Sequence, residues 1–393
     1  MQRFPVGRRV AAGLGLAAAV FVAASEYAAA QGAFYNPTAS EVAGSPGTLI
    51  RDEAMSGAPL EATARRILYR ATDPNGEVIP VSGVVIVPPG EPPPGGWPIV
   101  AWSHPTSGLV PRCAPSLALL FFQQVQGLRD MIEQRYVVVA TDYPGLGTPE
   151  VHPYLVGVSE ARAVLDGVRA ARDLLGSAAS TRFALWGHSQ GGQASLFAAS
   201  IAATYAPELE LAGVAVAAPA TKIGDLMEAD LPTEGGKNLL PMTLWSWSKY
   251  YGAPIEQVVL PEALPHVDRL AGICLESPID MPARAAIGKE LQKGFLSVDN
   301  LTALEPWKTL LAENTIGTLP ADIPLFVAQG TADDTVDPSI TQAYVAELCA
   351  AGSHVATLSM PGVGHALAAM HAAKPAIAWI GDRFAGRPAP TDC

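Results

Sequence analysis

Gly187-His188-Ser189-Gln190-Gly191 constrains this chain more than any other stretch. It follows an apolar run, Phe183 to Trp186, and precedes a small-residue helical run, Gln193 to Ala199. A serine hydroxyl is a weak nucleophile until it is held exposed beside a base. A sharp strand-to-helix turn provides that exposure, with glycines where a Cβ would block close backbone approach. The bare pentapeptide arises easily by chance in a chain rich in Gly, Ala and Ser. Its placement between a strand and a helix gives it weight.

The rest of the pattern supplies a sheet for such a turn. Apolar runs at Ile99 to Trp102, Tyr136 to Thr141, Phe183 to Trp186, Val214 to Ala218, Pro324 to Ala328 and Val355 to Met360 read as buried strands. Helical patterns alternate with them, including Glu160 to Leu175 with Ser159 as its N-cap. Ile67 to Thr72 and Val81 to Val87 flank Asp73-Pro74-Asn75-Gly76 and predict an antiparallel hairpin at a sheet edge. Residues 31–66 read as irregular. The fold class is α/β: a mostly parallel sheet with helices on both faces. Between residues 219 and 319 the alternation stops, and helical pieces such as Ala283 to Gly294 predict an inserted cap, longer than ordinary strand connections.

A nucleophilic serine needs a base and a carboxylate to orient that base, in the order Ser, Asp, His on this kind of sheet. The strand Pro324 to Ala328 runs into Gly330-Thr331-Ala332-Asp333-Asp334, which makes Asp333 the candidate acid and Asp334 its alternative; Asp337 before Pro338 reads as a helix cap. His365, in Gly362-Val363-Gly364-His365, follows the last strand and is the candidate base. Of the seven histidines, His188 lies inside the turn and is expected to point elsewhere. His104 precedes a candidate oxyanion loop, His371 fits a helix face, and His152, His266 and His354 lack a strand-then-glycine context. The oxyanion hole needs two backbone N–H groups. Gln190 and Thr106 are the candidates, since Pro105 has no N–H to give. Asp142 precedes the serine and reads as shaping a turn. Trp102, Leu240, Trp245 and Trp247 are candidate substrate-lining residues, with cap-to-core packing as the alternative for each cap residue. No metal or cofactor motif is present.

Residues 1–30 read as a cleavable export signal: Arg3, Arg8 and Arg9, an apolar run from Val10 to Ala24, then Ala28-Ala29-Ala30. Arg8-Arg9 lacks the rest of a twin-arginine motif. Residues 31–393 read as one domain, secreted or periplasmic. A net charge of −12 with 16% charged residues argues against a nucleic-acid partner. Four cysteines in an exported chain allow two disulfides in three connectivities. Cys349–Cys393 would tie down the tail, leaving Cys113–Cys274 to clip the Ser103-to-Gly108 loop to the insertion.

Together, Trp186-Gly187-His188-Ser189-Gln190-Gly191-Gly192, Thr141-Asp142-Tyr143-Pro144-Gly145-Leu146-Gly147, Gly330-Thr331-Ala332-Asp333 and Gly364-His365 resemble the secretory lipase family of α/β-hydrolases. The resemblance spans most of the chain beyond the export signal. It implies an α/β-hydrolase fold, a triad of Ser189, Asp333 and His365, a helical cap, and action on carboxylic esters; the cysteines also sit where two family-like disulfides would fit. Pro105 stands where many hydrolases carry His-Gly. The expected protein is a monomeric secreted carboxylesterase or lipase without a cofactor, acting on a lipidic or small ester, for which a lipid–water interface is a compatible place of work. A cutinase-like polyester hydrolase or a peptidase would use the same triad.

Overall fold

Nine strands build one sheet: β1 (Leu49–Met55), β2 (Thr63–Thr72), β3 (Val78–Val87), β4 (Trp97–Ser103), β5 (Val137–Thr141), β6 (Ala179–His188), β7 (Glu210–Ala217), β8 (Leu325–Gly330) and β9 (Val355–Met360). The computed structural model describes residues 32–230 and 236–393; the expected export signal lies outside them. The spatial order is β1-β2-β3-β5-β4-β6-β7-β8-β9. Pairings from β5 through β4, β6, β7 and β8 to β9 are parallel, while β1, β2 and β3 join antiparallel at one end.

Burial on two faces explains the apolar runs. Alternate residues separate into two cores: Val100, Trp102, Val138, Ala140, Ala184 and Trp186 face one side, while Ile99, Ala101, Val137, Val139, Phe183 and Leu185 face the other. Helices α1 (Gly157–Leu175) and α2 (Gln190–Tyr205) cover the second core. The C-terminal helix Ala368–Phe384 covers the first.

Two local expectations change. The stretch expected to be irregular contains β1. Its Arg51, Asp52 and Glu53 hide the strand pattern, but Asp52 and Glu53 pair across to Arg65 and Arg66 of β2, so charged residues occupy a sheet edge. Helix α1 begins two residues before Ser159, which is not its cap. The Gly157 N–H instead donates to Asn314 Oδ1 at 3.0 Å, a cap supplied by a distant side chain. Asp337 accepts from the Ser339 N–H, as its place before Pro338 suggests.

Between β7 and β8 the chain is helical: α3 (Ile223–Asp230), α4 (Gly236–Tyr250), α5 (Leu264–Ala271), α6 (Met281–Leu291) and α7 (Trp307–Glu313). Then come α8 (Pro338–Ala350) and α9, the C-terminal helix. The disulfide Cys113–Cys274 fastens the segment after β4 to the segment just after α5, and Cys349–Cys393 ties the C-terminus to α8. Asp392 adds bonds from the Thr357 N–H and hydroxyl of β9.

The two bridges close spans of 161 and 44 residues. In the chain-entropy limit these are worth about 5 and about 4 kcal/mol. Urea unfolding of Cys113→Ala/Cys274→Ala should therefore show a larger loss than Cys349→Ala/Cys393→Ala.

Candidate active site

Ser189 sits between β6 and α2 with φ 57° and ψ −119°, outside the ordinary L-residue regions. Its N–H donates to Ala217 O at 3.0 Å, and its carbonyl accepts from Gln193 and Ala220. The turn is therefore held from β7 and from its own helix. A Cβ at Gly191 would lie 1.9 Å from Ser103 O, so only glycine lets α2 start against the end of β4.

The other two candidates arrive from the ends of β8 and β9. A Cβ at Gly330 would lie 2.2 Å from Val363 O, so this glycine lets the loop after β9 close over the end of β8. His365 Nε2 is 2.8 Å from Ser189 Oγ, and His365 Nδ1 is 2.9 Å from Asp333 Oδ2. A carboxylate only accepts, so Nδ1 carries the proton toward Asp333 and Nε2 is left as the acceptor for the serine hydroxyl. Burial works to raise the Asp333 carboxyl, but hydrogen bonds from His365 and from the Val336 and Thr335 N–H groups outweigh it and hold the pKa below the ordinary carboxylate value. Gln329 Nε2 also donates to Asp333 Oδ2 at 3.0 Å. Asp334, the alternative, lines the open cleft and, among the described residues, accepts a hydrogen bond only from the Thr335 hydroxyl.

Gln190 is the first residue of α2, where a backbone N–H has no intrahelical acceptor. Thr106 lines the same cleft as Ser189 and His365, and its hydroxyl lies 2.9 Å from Tyr154 OH. That cleft measures about 930 Å³. A smaller cavity of about 50 Å³ adjoins it at Ser189, Leu239 and Thr335, walled by Ile223, Leu226, Met227, Leu240 and Val336.

The other lining candidates fall elsewhere. Trp102 is buried beneath the site, its ring 5.7 Å from that of Trp186, because it sits within β4 rather than in the loop beyond it. Trp247 is fully buried and donates to Tyr154 O, and Trp245 donates to Asp268. Helix geometry explains both. Trp247 is about 10 Å along α4 from Leu240, and Trp245 is turned about 140° away from it. Leu240, in the first part of α4, does wall the smaller cavity.

His188 corrects an expectation. The tight turn leaves its ring at the same rim, 5.0 Å from the His365 ring, with Nε2 donating to His365 O at 3.1 Å. Burial, then the neighbouring His365, lower its pKa to about 3, so it stays neutral. Asp142 is fully buried and accepts from Ser82 and from the Ser116 N–H, tying β3, the end of β5 and the segment after β4 together. Two further residues meet the site without a strand-then-glycine signal in the sequence, Glu160 and His152. Both bond to the Gln190 side chain, and an acid in a helix's first turn is too ordinary to signal this. Among the described residues, no His, Cys, Asp or Glu group is arranged to hold a metal ion.

The sequence pattern of the secretory lipase family matches residues 123–392. The chain is 26% identical to the probable inactive lipase of Mycobacterium tuberculosis, over 90% of this chain and 82% of that one. It is 24% identical to lipase A of Arthroderma benhamiae, over 90% and 79%. Candida antarctica lipase A has a similar solved structure, with a TM-score of 0.75 at 20% identity, covering 92% of this chain and 87% of that one. The rice cell wall degrading esterase LipA of Xanthomonas oryzae gives 0.70 at 23% identity, over 87% and 99%. These likenesses and the sheet order make the fold that of an α/β-hydrolase.

The contact at Gly191 yields a test. Gly191→Ala must push the start of α2 off Ser103, and displacement of about 1 Å at such a centre costs on the order of 10²-fold in rate. Steady-state ester hydrolysis should show that loss in kcat.

Proposed function

The chain belongs to the secretory lipase family and is an ester hydrolase; on that premise we propose that it is an exported, monomeric serine carboxylesterase working through an acyl-enzyme on Ser189. The observation that carries this reading is the continuous chain Ser189 Oγ, His365 Nε2, His365 Nδ1, Asp333 Oδ2, with links of 2.8 and 2.9 Å.

His365 Nε2 takes the hydroxyl proton as Ser189 Oγ attacks the ester carbonyl. Negative charge grows on the carbonyl oxygen and is met by the N–H groups of Gln190 and Thr106. His365, now charged and held by ionised Asp333, returns the proton to the departing alcohol oxygen. Water then attacks the acyl-enzyme with His365 again as base, releasing the acid and restoring Ser189.

The cavity walled by Leu226, Met227 and Leu240 takes the acyl group, and the wider cleft takes the alcohol. Activity on p-nitrophenyl esters should fall from butyrate to palmitate; a flat or rising series would exclude this acyl site. Ser189→Ala should lose at least about 10⁴-fold in kcat, and Asp333→Asn on the order of 10⁴-fold. Asp334→Asn should lose far less. Full activity in Ser189→Ala would overturn the mechanism.

A further inference from the structure

The Gln190 side chain enters a buried polar cluster that the mechanism above leaves unused. Gln190 Nε2 donates one hydrogen to Glu160 Oε1 at 2.7 Å and the other to His152 Nε2 at 3.0 Å. His152 can accept because its Nδ1–H is spent on Pro144 O at 2.8 Å, and burial lowers its pKa to about 3. Glu160 Oε1 also accepts from the Leu155 N–H at 2.9 Å. Both hydrogens of the Gln190 amide are therefore committed to acceptors on other elements, α1 and the loop before it. Glu160, Gln190 and His152 are all essentially inaccessible to solvent.

This cluster fixes a specific backbone group. Gln190 follows the nucleophile, and its N–H points out of the first turn of α2 without an intrahelical acceptor. A side chain pinned from two sides leaves its own backbone little freedom to turn. We propose that Glu160, acting through the Gln190 side chain, is a positioning residue that holds the Gln190 backbone amide toward the developing oxyanion, and that it does so as a neutral acid. The inference rests on Ser189 being the nucleophile.

Three observations favour the neutral form. Glu160 Oε2 and Gln190 Oε1 are both buried and lack hydrogen-bond partners among the described residues. A proton on Oε2 turns one of these buried acceptors into a donor, whereas an ionised carboxylate oxygen left there without a donor is the costlier state. The groups facing Glu160 offer no positive charge: Gln190 from α2, the Leu155 N–H and the neutral His152 from the loop, and Tyr143 from the end of β5, whose own pKa burial and Glu160 raise. Burial accordingly lifts the Glu160 pKa to about 8, against the smaller pull of its Gln190 and Leu155 bonds. Below that pH the acid is neutral. Above it, a carboxylate stands two bonded contacts behind the oxyanion, and its charge opposes the charge forming there, so kcat falls as pH rises.

The test is the pH profile of kcat for wild type, Glu160→Ala and Glu160→Gln on one soluble ester, with Ser189→Ala alongside. Glu160→Ala should lower kcat about 10- to 100-fold at pH 7 with KM changed less than about threefold. Glu160→Gln keeps the acceptor for Gln190 and Leu155 without a titrating proton. It should restore most of the kcat that alanine loses and remove the wild-type decline near pH 8. Rescue together with a lost alkaline limb is not what a merely structural role would give. Wild-type kcat in Glu160→Ala, a wild-type profile flat to about pH 10, or a decline that survives in Glu160→Gln would each overturn the inference. If Glu160→Ala does not fold, the profile of Glu160→Gln decides alone. Activity remaining in Ser189→Ala would instead sink the underlying mechanism.

Discussion

The backbone of Ser189 is the constraint on which the site depends. A serine at φ 57° and ψ −119° is unfavourable by itself, on the order of 1–3 kcal/mol. It persists because its N–H is tied to β7, its carbonyl is shared by two donors, and Gly191 lets the following helix start directly against β4. The return is geometric. The hydroxyl is presented at the rim where β8 and β9 end, and the first N–H of α2, which has no intrahelical acceptor, follows it directly.

The same economy appears in the elements that meet that rim. Gly330 lets two loops overlap, so a carboxylate from one strand end and an imidazole from the next reach each other. Asp333 is held by four donors, which keeps it ionised in a buried place. His188, His152 and His104 crowd nearby, yet burial keeps each of them neutral, with pKa values lowered to about 3, 3 and 4. The rim thus holds several imidazoles but presents one of them to the serine.

How much of this was legible in the sequence depended on whether a residue's role was written in its near neighbours. The central strands were, because two-sided burial demands continuous apolar runs such as Val137–Thr141. The meeting of Ser189, Asp333 and His365 was, because glycines and strand ends mark their positions, and the fold brings them within hydrogen-bonding distance. Strand β1 was not, since its stabilising partners are charges on β2. Trp245 and Trp247 look alike in sequence, but helix phase sends them to different surroundings. Glu160 was invisible for a deeper reason: its partners lie 30 residues away at Gln190 and on a loop whose path nothing local announces.

Mass spectrometry of the protein after exposure to a fluorophosphonate tests the central claim most directly, because that reagent captures a serine only when a base and an oxyanion site activate it. One adduct, on the peptide carrying Ser189, is the predicted result. An unmodified chain, or an adduct on another side chain, would contradict the account.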